Sequence, residues 1–224
     1  MIINPRRQAS LLAAFVLLCA LTPLSQTRPP IDKVLKQTVS GLAATDKSID
    51  QILGGLAKDF NVPIGLEKVA SAISCSSADV KISLKIEGGT VRDVLDAIVQ
   101  ADPRYRWEEV DGVINVLPKE EKSLVVETPV SSFQIDEATW TDTRQLIREL
   151  PEIKSKLKEN GLTERSAILV TGSGDNNLPR FSFKLRNTTL RGILNEILKV
   201  KGYSFWVLSR YGDRNQYLSI QSIV

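Results

Sequence analysis

The chain of 224 residues contains no histidine, which removes histidine general bases, Ser-His-Asp triads and imidazole metal ligands from consideration. Its two cysteines, Cys19 and Cys75, are too few for a zinc cluster or a disulfide framework. It has a single methionine, and aromatic residues make up 6%. It also lacks an apolar run of the roughly 20 residues a spanning helix needs. The longest such run, Leu11–Leu21 (LLAAFVLLCAL), has eleven residues. With 42% hydrophobic and 25% charged residues, the remainder reads as ordinary globular protein.

That apolar run follows Arg6 and Arg7 and gives way to Thr22-Pro23-Leu24-Ser25-Gln26, the three-part pattern of an export signal over residues 1–27. An uncleaved anchor is the alternative, because the cleavage region lacks a clean A-x-A. Lipidation at Cys19 fits poorly, since Leu18 precedes it where a small residue belongs. Loss of residues 1–27 removes two arginines and no acid, so the charge falls from +3 to +1. A near-neutral exported protein gives no electrostatic footprint for nucleic acid. Cys75, among Ser74, Ser76 and Ser77, is then left without a partner cysteine, and no adjacent charge marks it as a nucleophile.

The chain repeats itself. Ile82–Trp107 (ISLKIEGGTVRDVLDAIVQADPRYRW) aligns without a gap on Phe181–Trp206 (FSFKLRNTTLRGILNEILKVKGYSFW) at an offset of 99. Identities fall at Ser83/Ser182, Lys85/Lys184, Thr90/Thr189, Arg92/Arg191, Leu95/Leu194 and Trp107/Trp206. A period this long denotes a duplicated domain, not a solenoid repeat. Each copy opens with period-2 alternation (Ile82, Leu84, Ile86; Phe181, Phe183, Leu185), the mark of a half-buried strand. A turn follows, then Thr90 or Thr189 at a helix N-cap. Val91, Val94, Leu95, Ile98 and Val99 then form an apolar stripe at helical spacing, repeated by Leu190, Ile193, Leu194, Ile197 and Leu198. A hairpin closes each copy, in the first across Asp111-Gly112, a strong two-residue turn signal.

The front halves match more loosely. Thr38–Ala43 and Val130–Ile135 read as strands. Ile49–Phe60 reads as a helix followed by a strand at Val62–Leu66. In the second copy a helix from Trp140 restarts at Pro151 and is capped by Gly161, with the next strand expected at Ala167–Thr171. The expected fold is α+β: two tandem β-α-β-β-α-β-β domains, helices on a small mixed sheet, over residues 38–118 and 129–224. The charged stretch Pro118–Ser123 places a linker at 119–128, with Leu124-Val125-Val126 apolar enough to join a sheet edge.

The strand–turn–T-[VL]-R-x-[VI]-L–hairpin pattern, clearest over Val80–Leu117, resembles the short N-terminal domain shared by secretins and TonB-dependent transducers. Ile49–Leu66 is similar to that family's leading helix and strand, and Arg180–Ile220 is a more divergent match. The resemblance implies a periplasmic, non-catalytic module without cofactor. It also implies a protein partner in the cell envelope, either a secretion or pilus component or an anti-sigma-type regulator. Location would be exported, periplasmic or outer-membrane-associated, with membrane contact only through a partner or an uncleaved signal. No barrel or secretin core follows the two copies, so a pore function is not implied.

Four residues are candidates for an interaction surface. Arg92 and Arg191 hold one position on equivalent helices and read either as solvated residues or as a contact to an acidic partner or between copies. Lys85 and Lys184 line the polar side of equivalent strands. Trp107 and Trp206 are expected to pack under the helices. The polar stretch Thr171–Asn177 has G-x-G but neither the G-K-[ST] nor the following helix of a phosphate loop, and reads as a hairpin loop. A rival expectation is an envelope enzyme built on carboxylates contributed by both copies.

Overall fold

The computed structural model describes residues 29–69, 80–120, 125–164, 180–200, 205–211 and 216–223. The export segment, Cys75, the strand expected at Ala167–Thr171 and the loop Thr171–Asn177 lie outside them. The class is α+β, with six helices among the described residues on antiparallel ribbons and one larger sheet.

The chain opens with a short helix, α1 (Ile31–Leu35), whose Val34 and Leu35 are already buried. Strands β1 (Thr38–Val39) and β2 (Leu42–Lys47) precede helix α2 (Ile49–Phe60). Ser48 and Gln51 close a capping box on α2, satisfying amides that the first turn leaves without partners. Asn61 ends it in the left-handed region at φ 52°. Strand β3 (Ile64–Glu67) is followed by β4 (Ile82–Ile86), β5 (Gly89–Thr90) and helix α3 (Val91–Ala101). Thr90 accepts from the Asp93 amide while the Asp93 carboxylate reaches back to the Thr90 amide. The hairpin β6 (Tyr105–Val110) and β7 (Val113–Pro118) turns at Asp111 and Gly112, both at positive φ as a tight hairpin of this hand requires.

The second half runs through β8 (Pro129–Ala138), α4 (Trp140–Glu149), α5 (Pro151–Glu159) and β9 (Leu162–Glu164). It ends with β10 (Phe181–Thr189), α6 (Leu190–Lys199), β11 (Phe205–Tyr211) and β12 (Gln216–Ile223). Pro151 separates α4 from α5, as its missing amide and its effect on the preceding residue dictate. Val125 and Val126 are buried but extend no strand. They form a turn in which the Val125 carbonyl accepts from the Thr128 amide, while the carbonyls of Val126 and Thr128 receive the first amides of α6.

The repeat recurs in the pairing. β2 pairs antiparallel with β4, and β8 with β10, each ribbon carrying a bulge. Ser83 and Ser182 have one task there: their hydroxyls accept from the amides of Asp46 and Glu137, the positive-φ residues of the two bulges.

The repeat alone does not foretell that the halves share a sheet. Its six strands run β6-β7-β3-β11-β12-β9, and β3 of the first half pairs in parallel with β11 of the second. Their register sets Ile64 against Phe205, Gly65 against Trp206, Leu66 against Val207 and Glu67 against Leu208. Alternation then divides the side chains. Ile64, Leu66, Ile114, Val116, Phe205 and Val207 belong to a core with α2 and α3. Val113, Trp206 and Leu208 belong to a second core with α6 and the β8–β10 ribbon. The two cores therefore lie on opposite faces of one sheet. A strand buried on both faces needs no polar alternation, which is why Ile-Gly-Leu-Glu is buried throughout.

Candidate interaction surface

At the seam between the halves, the indole of Trp206 occupies the space beside Gly65 where a side chain would begin. A methyl group at Gly65 would stand 2.3 Å from two carbons of that ring. The indole N–H donates to Asn195 Oδ1 on α6 at 3.1 Å, both residues being fully buried. From the first turn of α6, Arg191 reaches across the seam. Its guanidinium pairs with Glu67 of β3 and Glu127, its Nε donating to the latter at 2.7 Å, and contacts Asn115 Oδ1 of β7 at 3.4 Å. Arg191 is 11% exposed and Glu67 3%, so an ion pair is held almost out of water. A planar fork that serves three acceptors at once suits arginine and not lysine.

The first half contains the same device. Trp107 donates its indole N–H to Asp96 Oδ1 at 2.8 Å, the bond found between Trp206 and Asn195 at the repeat offset. Arg92 lies with its guanidinium 5.2 Å from the centre of the Trp107 ring, within range of a cation–π contact. Here the surroundings are half-exposed, because β6 is the outermost strand of the sheet among the described residues. The difference between Asp96 and Asn195 follows. In water a carboxylate is a sound acceptor, whereas in a closed seam its charge would be costly and a neutral amide supplies the same oxygen.

The four sequence candidates thus separate. Arg191 is the clamp between the halves, whereas its repeat-mate Arg92 is exposed at the β6 edge. Lys85, paired at 3.3 Å with Glu87, and Lys184 are exposed on the β2–β4 and β8–β10 ribbons, and the structure does not gather them with the arginines. Trp206 packs in the core as expected, while Trp107 is only half-buried.

Sequence reading missed Gly65, Glu67, Asn115, Glu127 and Asn195. The signals were present: a glycine within an apolar run, and an Asp-to-Asn change between otherwise similar helices.

The carboxylates do local structural work. Hydrogen bonds from the Thr90 amide and hydroxyl hold Asp93 below the ordinary carboxylate range, and those from Thr139 do the same for Asp142. Asp102 is lowered by its bonds from Arg104, Glu149 by Lys154, and Glu152 by its own amide and that of Ser131. At the seam, Glu67 and Glu127 are bridged by Arg191. Among the described residues, no group of three or more His, Cys, Asp or Glu is placed to hold a metal ion, and no helix is long and apolar enough to cross a membrane. Comparison with known protein families, characterised proteins and solved structures finds no match.

Proposed function

We propose that the chain is an exported, non-catalytic protein-binding module of the cell envelope. It consists of two tandem copies of one β-α-β-β-α-β-β unit like the short N-terminal domains of secretins and TonB-dependent transducers. The partner is an envelope protein, a secretion or pilus component or an anti-sigma-type regulator. Duplication is supported by the recurring bulge serines, threonine caps and tryptophan bonds. Strand order supports it as well. β6-β7-β3 maps onto β11-β12-β9 with every strand direction reversed and the core on the other face, a half-turn about an axis crossing the strands within the sheet combined with a shift of three strands along it.

The observation that carries the binding reading is β6. Among the described residues it is an edge strand backed by a full sheet, and its repeat-mate β11 already holds a neighbouring strand. Edges offer backbone donors and acceptors to an added strand. The rival carboxylate enzyme is disfavoured by the acids at the seam, which are bridged by an arginine instead of opposing one another across a cleft.

The test is photocrosslinking in an envelope-bearing host, with the crosslinker at Arg106 on β6 or at Lys85 and Lys184 on the ribbons. The expected result is a periplasmic chain processed near residues 26–30 that forms a discrete protein adduct only from β6. Cytoplasmic retention, or adducts from the ribbons alone, would overturn the proposal.

A further inference from the structure

Resting on that reading, we infer the chemistry of the segment that β6 accepts: an extended strand running parallel to β6, with glycine beside Trp107 and a carboxylate two residues later. The molecule carries its own template. At the second half's equivalent edge, β3 runs parallel to β11, Gly65 lies beside Trp206, and Glu67, two residues on, pairs with Arg191. Each part of that receptor recurs at the first half's edge at the repeat offset. The bond from Trp107 to Asp96 holds the indole as the bond to Asn195 holds Trp206, and by the repeat the ring then borders the position an added strand would take. Any Cβ at this position of the incoming strand would strike that ring, as a Cβ at Gly65 would strike Trp206.

Arg92 occupies the clamp position. Among the described residues it makes no ion pair and rests on the Trp107 face. Glu109 stands where Leu208 stands in the seam, but it is turned to the hairpin, accepting from the Gly112 amide at 2.8 Å, and so leaves the Arg92 contact to an acid from the partner.

The opposite face of the strand differs from the template. Arg106 and Glu108, themselves an ion pair, replace Phe205 and Val207. The interleaved positions of the incoming strand are therefore polar, and the occupant is a segment of another protein that is soluble before it docks, not a core strand. The motif is polar–glycine–polar–acid.

The probe is a fluorescein-labelled peptide, Asp-Phe-Asn-Val-Pro-Thr-Gly-Thr-Glu-Lys-Val, which is the β3 region with threonine at its two apolar core positions. It is titrated against the full chain by anisotropy. Binding is expected. Valine for the peptide glycine should weaken it at least tenfold. Glutamine for the peptide glutamate, or Arg92→Glu in the protein, should weaken it severalfold and flatten its salt dependence. Glu108→Pro and Glu109→Pro are made separately. One of these amides points outward and the other into the β6–β7 ladder, so the variant that keeps the native circular dichroism reports on the edge, and it should not bind.

Binding that survives glycine-to-valine and Arg92→Glu but fails in the folded proline variant would overturn the motif and leave edge recognition standing. Binding indifferent to all of these would overturn both, whereas no peptide binding by a folded protein that still gives its β6 adduct would overturn the motif alone. Dimers lost in the folded proline variant, seen by sedimentation, would show that a second copy occupies the edge and would overturn the assignment to a partner segment.

Discussion

Replacing Gly65 with alanine tests the seam, because local propensity and packing predict opposite signs. Gly65 has no positive φ that would demand glycine, so within a strand alanine should stabilise the protein by roughly 0.5–1 kcal/mol through lower unfolded-state entropy. The seam predicts the reverse. The new methyl group would lie 2.3 Å from the Trp206 ring, and ordinary carbon contacts near 3.5–4 Å require the ring to withdraw by about 1 Å or more. Overpacking of this kind costs about 1–3 kcal/mol. Withdrawal also breaks the buried bond to Asn195, a further cost of about 1–3 kcal/mol with both partners left dry. Set against the propensity gain, the expected net loss is roughly 2–4 kcal/mol. Urea unfolding followed by far-UV circular dichroism measures it. The control is a cycle with Trp206→Leu: without the ring the alanine should cost nothing, giving a coupling above about 1 kcal/mol. A Gly65→Ala protein as stable as the parent, or strictly additive with Trp206→Leu, would refute the account of the seam.

Three further outcomes are expected. Leu95→Ala, at a fully buried position on α3, should cost about 2–5 kcal/mol in urea, and a loss below about 0.5 kcal/mol would contradict its place in the core. Asn195→Asp should destabilise the protein at pH 7 by about 2 kcal/mol or more, since it puts a charge in a closed seam. Burial raises the folded-state pKa of such a carboxyl, so the penalty should vanish below the unfolded value near about 3.9 and grow as pH rises, while Asp96→Asn at the open edge should be nearly neutral. Asp102 has the opposite sign: Arg104 holds its pKa down in the fold, so its stabilisation is full above about pH 4 and is lost as pH falls through its folded value. The stability gap between the parent and Asp102→Asn should therefore narrow in acid, and a gap constant from pH 6 to pH 2 would show that the pair contributes nothing.

Local physics was legible in the sequence. The α3 and α6 stripes, the threonine caps, the Asp111-Gly112 turn and the break at Pro151 each depend on neighbours a few residues apart, and each lies where the pattern placed it. The shared sheet was not legible. Pairing of Ile64–Glu67 with residues from 205 onward leaves no periodic trace, only a short apolar run that suits any central strand. Identity at Arg92 and Arg191 was misleading for the same reason, since one residue type serves a solvated edge and a closed clamp. The surrounding residues carry the distinction: Phe205 and Val207 at the seam against Arg106 and Glu108 at the edge, and Asn195 against Asp96.

The crossing of β11 into the first half sets the order in which the molecule can be completed. Phe205 and Val207 belong to the core built on α2 and α3, yet they are made some 140 residues after β3. Until they arrive, β3 has β7 on one side and an apolar edge on the other, with Ile64 and Leu66 waiting for their last neighbours. An emerging chain therefore holds an adhesive strand open for most of its synthesis or translocation, the interval in which an unpaired edge is most prone to wrong partners. Folding of the first half is thus committed at the C-terminal hairpin. A chain stopped before residue 205 should aggregate instead of settling into half of the native structure.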